Sequence, residues 1–232
     1  MIEKLNVRAV VFDAVGTLIY AAPPVAAVYA RVGRQHGSLL TAAEVRSRFA
    51  PAFQEHYANK SATVVDQQRE RQCWQRVVNA VFAGQQVDRE AVLEDLWSYF
   101  ARSSSWRMFA DAADVWRELE KADLILGIAS NFDDRLISVC EGIEQLSACR
   151  HLYNSAAIGF AKPDIRFFEH IQRRLGLPAE QICMIGDDPR NDVQAARDAG
   201  WQSLLVDRGL EQREKECTVN SLRQLLDGDP SS

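Results

Sequence analysis

The sequence predicts an α/β fold, with a parallel sheet core, helices on both faces and an inserted all-helical segment. Three observations carry this. Short, mostly apolar runs recur at 7–12, where β-branched residues are frequent, and at 124–129, 182–185 and 203–206. Continuous runs of this kind mark parallel strands buried on both faces. Between the later runs lie segments with apolar residues at helical spacing, and strands alternating with helices build a parallel sheet. Residues 23–103, by contrast, show helical spacing and no strand signal.

Taken in order, the first strand occupies about 7–12 and ends at Asp13, with Gly16 just beyond. Pro23-Pro24 breaks the chain. Val25, Val28, Tyr29 and Val32 then trace one face of a helix over 25–37. Thr41 and Glu44 have the spacing of a capping box and open the next helix, whose apolar positions run through Val45 and Phe49 towards Pro51 and Phe53. Two more helices fall at 66–82 and 88–100. After Ser103-Ser104-Ser105 the α/β pattern returns, with a helix over 112–121, a strand over 124–129 and a helix over 135–140. A short strand follows at 151–154. Pro163 in the first turn and Gly176 past the end bracket a further helix. The last elements are a strand over 182–185, a helix over 193–199 closed by Gly200, and a strand over 203–206. Residues 227–232 read as a frayed tail.

Composition narrows the function classes. The 232 residues are 47% hydrophobic and 25% charged, an ordinary globular balance, with room for one large domain or a domain carrying an insertion. A net charge of −5 gives no footprint for nucleic acid. No apolar run approaches the roughly 20 residues needed to span a bilayer. The first residues lack the apolar core of a signal peptide, so a cytoplasmic location is expected. Cys73, Cys140, Cys149, Cys183 and Cys217 show no C-x-x-C spacing. That pattern predicts reduced thiols rather than a zinc site or disulfide framework.

Polar clusters follow the strand-like segments of the α/β portion or the loops after them: Asp13, then Ser130-Asn131, then Lys162, then Asp187-Asp188 with Asp192. Each alone is ordinary turn or capping chemistry. Parallel strands, however, bring these tips to one edge of the sheet, where open α/β sheets bind ligands. Crowded carboxylates raise one another's pKa. A hard cation such as Mg²⁺ relieves that repulsion. Lysine suits a phosphoryl group, and a hydroxyl and an amide add donors. The set predicts an anionic, phosphorylated small-molecule substrate and a metal.

In this order the motifs resemble those of the haloacid dehalogenase-like superfamily of hydrolases. They are Phe12-Asp13-Ala14-Val15-Gly16-Thr17-Leu18, Ala129-Ser130-Asn131, the stretch from Gly159 to Lys162-Pro163-Asp164, and the stretch from Ile185-Gly186-Asp187-Asp188 through Asp192 to Gly200. The likeness covers about 5–20 and 106–210, and the first motif is most similar to the branch containing the rhythmically expressed fly protein. The resemblance implies a Rossmann-like core of residues 1–20 and 104–232 with a helical cap of 21–103. Its hinges would be 20–24 and 102–105.

The resemblance also implies roles. Asp13 would be the nucleophile that forms an aspartyl-phosphate, and Lys162 would offset charge in the transition state. Thr17 and Ser130, with the Asn131 backbone, would hold phosphoryl oxygens. Asp13, the Val15 carbonyl and Asp187 would ligate Mg²⁺, with Asp188 and Asp192 orienting water and Lys162 around them. Val15 departs from the pattern, because a second aspartate there would normally act as the general acid and base. The expectation is a Mg²⁺-dependent phosphatase with weak or narrow activity, favouring good leaving groups. Tyr20, His36, Glu44 and His56 are the candidate substitute donors. Two alternatives accompany this reading: a 2-haloacid dehalogenase-type enzyme, and a binding or regulatory protein that has lost turnover.

Overall fold

The computed structural model describes residues 2–58, 64–209 and 218–226. Six parallel strands form one sheet, in the spatial order β5 (His151–Asn154), β4 (Ile125–Ser130), β1 (Ala9–Phe12), β6 (Ile182–Gly186), β7 (Gln202–Val206) and β8 (Thr218–Val219). β1 lies between β4 and β6, with Phe12 level with Ile128 on one side and Ile185 on the other. The chain steps outward from β1 in both directions, so the strand order reverses beside it. That reversal opens a crevice at the carboxyl ends of the strands, where Asp13 emerges.

The two-residue period of β1 divides the core. Val10 and Phe12 pack with Ile128, Cys183 and Ile185 beneath α5 (Ala110–Lys121) and α6 (Arg135–Glu141). Ala9 and Val11 pack with Met184 on the opposite face, under Phe167, Phe168 and Ile171 of α8 (Ile165–Leu175). Every residue of β1 is buried, as a central strand covered on both faces requires.

The insertion comprises α1 (Val25–Gln35), α2 (Ala42–Phe53), α3 (Gln67–Val81) and α4 (Arg89–Phe100). The Thr41–Glu44 capping box forms as read, and Asp66 and Asp88 cap the next two helices. Tyr29, Val45, Val77, Val81, Phe82 and Leu93 belong to an apolar core distinct from those that flank the sheet.

Several elements differ from the sequence reading. The two crossings into the insertion carry short strands that the sequence reading did not include. They form an antiparallel ribbon, β2 (Ile19–Ala21) against β3 (Trp106–Met108), with Ala22 N–H bonded to the Ser105 carbonyl. Three-residue strands carry too little pattern to be read. α2 continues through Pro51 to Phe53 and then widens into a π-type turn over Gln54–Ala58. Pro163 lies before the helix rather than in its first turn, because the Asp164 side chain caps α8 at Arg166 N–H. The helical segment expected at 193–199 begins earlier. The Asp188 carboxylate accepts from Arg190 and Asn191 N–H and starts a wide turn at Pro189–Gln194, followed by α9 (Ala195–Asp198). A one-turn helix α7 (Ser155–Ile158), capped by Asn154, and strand β8 are additional. The expected tail at 227–232 and Cys217 lie outside the described residues. Among the described residues, Cys73, Cys140, Cys149 and Cys183 are thiols outside any disulfide.

Candidate active site

The carboxyl ends of β1, β4 and β6 and the loop after α7 meet at one cleft of about 360 Å³. Asp13, Val15, Ser130, Asn131, Lys162, Asp187, Asp188 and Asp192 all line it, which brings together eight of the nine sequence-predicted residues. At its base lies Lys162, whose Nζ donates to Asp13 Oδ1 at 2.7 Å, Asp192 Oδ1 at 2.5 Å and the Ala129 carbonyl at 3.0 Å. The lysine is 5% exposed, so all three of its donors are used inside the protein. Burial alone would lower its ammonium pKa, but the charges of Asp13 and Asp192 overcome that and hold it above the usual lysine range.

The carboxylates respond in the opposite sense. Burial pushes Asp13 upward, and Lys162 opposes it, assisted by a hydrogen bond from Ser130. Burial and the neighbouring Asp13 charge push Asp192 up to about 6 against the pull of Lys162. Asp187 has its tip in solvent, yet it too is raised, first by the surrounding protein and then by the Asp192 charge. Oxygens of Asp13, Asp187 and Asp192 lie within 4.8 Å of one another. One ammonium among three carboxylates leaves the site net negative, and a divalent cation is the charge that fits such an oxygen-only set. Glycine makes the approach possible. Gly16 adopts φ +97°, and a Cβ there would stand 2.3 Å from Asp187 Oδ2. A Cβ on Gly186 would meet Asp192 Oδ2 at 2.2 Å.

Two residues, Thr17 and Asp188, sit differently from what the resemblance implied. Thr17 is fully buried, and its hydroxyl donates to Asp187 Oδ1 at 3.1 Å, so it orients that carboxylate rather than facing the cleft. The Asn131 side chain grips the lysine loop in both directions, donating to the Lys162 carbonyl and accepting from its N–H, each at 2.8 Å. Asp188 is spent on capping Arg190 and Asn191, whereas Asp192 is the residue that orients Lys162.

The insertion contributes a wall that sequence reasoning missed: Phe53, Gln54, Tyr57 and Glu70. The Tyr57 hydroxyl donates to the Asn131 carbonyl at 2.9 Å, linking insertion to core. Burial first, then the charge of buried Glu70 beside it, hold the phenol well above its ordinary pKa. A signal was present, since Phe49, Phe53 and Tyr57 recur every four residues and their rings stack successively at 5.8 and 5.0 Å. The candidate donors named from sequence are elsewhere. Tyr20 packs on Phe109 in the ribbon, His36 pairs with Asp95 at 2.7 Å, Glu44 is held in the capping box, and His56 stands 4.0 Å from Glu55 without lining the cleft.

A parallel sheet whose central strand ends in a buried lysine–carboxylate site defines a doubly wound α/β protein with its site at the strand tips, and comparison gives its family. Residues 7–200 match the haloacid dehalogenase-like hydrolase family, and the chain belongs to it. It is similar to human haloacid dehalogenase-like hydrolase domain-containing protein 3, at 29% identity over 89% of this chain and 84% of that one. It is also similar to the rhythmically expressed gene 2 protein of Drosophila melanogaster, at 24% identity over 86% of this chain and 82% of that one. Among solved structures, the HAD-hydrolase YfnB of Bacillus subtilis bound to magnesium shares the fold at a TM-score of 0.71. Its identity to this chain is 17%, over 95% of this chain and 97% of that one. Both a phosphatase and dehalogenases occur among structures of comparable likeness. No helix among the described residues is long and apolar enough to cross a membrane.

Proposed function

We propose that this hydrolase is a Mg²⁺-dependent phosphatase of small phosphorylated compounds, acting through Asp13. The observation that carries the reading is the Asp13–Lys162–Asp192 chain at the floor of a carboxylate-rich cleft. Lys162 opposes the burial that favours neutral Asp13, and it leaves a cation beside the position of a transferring phosphoryl group. Asp13 and Asp187, with the Val15 carbonyl that the family resemblance implies, would hold Mg²⁺, which supplies positive charge to the phosphoryl oxygens when bound.

An Asp13 carboxylate oxygen attacks phosphorus, the bond from phosphorus to the ester oxygen breaks, and the leaving group departs with that electron pair. Water then attacks the phosphorus of the aspartyl-phosphate, releasing inorganic phosphate and regenerating the Asp13 carboxylate. Val15 offers no proton to the departing oxygen, so leaving groups that are stable as anions are favoured. The helical insertion acts as the cap, and Tyr57 on the Asn131 carbonyl is its contact with the phosphate-binding loop. Displacement of halide needs no cation, and the Asp187 and Asp192 carboxylates would repel a haloacid, which disfavours the dehalogenase alternative.

The test is hydrolysis of an aryl phosphate with and without Mg²⁺, alongside Asp13→Asn. Mg²⁺-dependent release of phosphate that vanishes in the variant is the expected result. Halide release without metal, or no turnover over a broad panel of phosphates, would overturn the reading.

A further inference from the structure

Hydrolysis of an aspartyl-phosphate needs a group that takes a proton from the attacking water, and the Val15 side chain has none to offer. In-line displacement fixes where that group must stand. Water approaches phosphorus opposite the bond to Asp13, in the place the leaving oxygen has vacated. Asp13 emerges at the edge of the sheet, so the opposite side of phosphorus faces away from the core and towards the insertion. Phe53, Gln54, Tyr57 and Glu70 form that wall of the cleft.

Of these four, Glu70 alone carries a carboxylate. The Gln54 amide is not a base. Burial, then the Glu70 charge, keep the Tyr57 phenol protonated. The carboxylates of the core are placed differently. Asp187 and Asp192 have oxygens within 4.8 Å of Asp13 and stand on its side of phosphorus. Asp188 is occupied at both oxygens, Oδ1 accepting from Arg190 and Asn191 N–H and Oδ2 from the Asn191 side-chain amide.

Glu70 is also held in place. It lies in the first turn of α3, is 1% exposed, and its N–H donates to the Asp66 carbonyl at 2.9 Å. Its carboxylate is hydrogen-bonded to the Tyr57 phenol, which reaches the Asn131 carbonyl at 2.9 Å. Two hydrogen bonds therefore connect it to the backbone of the Ser130-Asn131 loop.

We propose that Glu70 is the general base of the dephosphorylation step. The inference rests on the phosphatase reading and supplies its second half. The Glu70 carboxylate takes a proton from water as the water oxygen bonds to phosphorus. The bond from phosphorus to the Asp13 oxygen breaks, and Asp13 leaves as a carboxylate with that electron pair. The proton on Glu70 returns to solvent as inorganic phosphate departs. In the first step the leaving group fills the space that water later occupies, so Glu70 acts only after it has gone.

The experiment is stopped-flow hydrolysis of para-nitrophenyl phosphate by the Mg²⁺-loaded protein, comparing wild type with Glu70→Gln. Nitrophenolate release in the variant should begin with a burst of about one equivalent per protein at the wild-type rate, and then slow by about 10²-fold or more. Acid quenching in the slow phase should trap phosphate on Asp13. Glu70→Asp, which retracts the carboxylate by one methylene, should show the same burst and an intermediate steady rate. Thermal denaturation checks that each variant is folded, and Glu70→Asp carries the comparison if Glu70→Gln is not. Equal slowing of burst and steady state, or no slowing of either, overturns the inference and leaves the phosphatase reading standing. Absence of Mg²⁺-dependent turnover in the wild type overturns both.

Discussion

Lys162 and Asp13 form a buried ion pair, Nζ to Oδ1 at 2.7 Å, across 149 residues of sequence. The pair joins the tip of the central strand to the loop after α7, and Asp192 completes it from the turn after β6. Burial at the strand tip raises the Asp13 pKa, and Lys162 limits that rise. The lysine therefore has two effects at once: it opposes the burial that favours neutral Asp13, and it holds three chain segments at one point.

Removing it should be costly in both respects. Lys162→Met leaves Asp13 and Asp192 buried and uncompensated, with an expected loss of stability of about 3–5 kcal/mol. Adding Asp192→Asn removes one of the orphaned charges and should recover part of that stability while activity stays lost. Urea denaturation of the single and double variants checks this. A double variant no more stable than the single one would show that the pairing does not govern the effect.

Val15 is 39% exposed on the wall of the cleft, so a carboxylate placed there would be accessible to a leaving group. Val15→Asp should raise the turnover of alkyl phosphates by about 10²-fold or more, the usual worth of a positioned acid. Aryl phosphates, which leave readily as anions, should gain much less. Steady-state rates on paired alkyl and aryl substrates make the comparison, and equal gains on both would mean that proton donation was not the missing element.

Much of this site was legible because strand tips in a parallel sheet are placed by topology alone. Asp13, Ser130 and Asp187 each follow a short, mostly apolar run, and registering those runs side by side puts the acids and hydroxyl at one edge. Lys162 belongs to no strand, and its placement came from motif order. What could not be read depends on contacts between distant segments. Nothing near Thr17 marks its hydroxyl as turned to Asp187, 170 residues away. Tyr57 and Glu70 belong to the insertion, where an aromatic every fourth residue signals a buried face but does not say which neighbour covers it. The β2–β3 ribbon escaped because three-residue strands are too short for alternation to register.

Gly16 and Asp187 make the metal prediction. A Cβ at position 16 would overlap the Asp187 carboxylate, and the backbone there has φ +97°, which disfavours any side chain. Mg²⁺ bound only to the folded state should raise its stability by about 2.7 kcal/mol at a hundredfold excess over Kd. Thermal denaturation with and without Mg²⁺ should show an upward shift in the wild type and almost none in Gly16→Ala or Asp187→Asn. A full shift in Asp187→Asn would place the cation elsewhere.

Arg208 ties the same turn down from behind. Its Nη2 donates to the Thr17 carbonyl at 2.8 Å, its Nε reaches the Gly16 carbonyl at 3.4 Å, and Nη1 grips both Asp111 oxygens at 3.0 and 2.8 Å. Asp111 also accepts from Ser221 Oγ and Leu222 N–H, so the 218–226 segment is fastened to the same point. Burial would raise the Asp111 carboxyl, but these donors outweigh it and hold its pKa below the ordinary 3.8. A carboxyl lowered in the folded state contributes stability that is fully present above the unfolded value and is lost as pH falls through the folded one. Asp111→Asn should therefore cost about 1–3 kcal/mol at pH 7, and the gap to wild type should narrow as pH falls below the ordinary carboxyl value and through the lowered folded one. Arg208→Lys keeps the charge but not the fork, so it should lower kcat more than it raises KM, because the displaced turn carries Asp13 and Thr17 rather than the insertion's wall of the cleft. Denaturation curves at pH 7 and pH 3 with a kcat and KM comparison test the two halves separately. A pH-independent deficit in Asp111→Asn, or a pure KM effect in Arg208→Lys, would show that the clamp does not hold the catalytic turn.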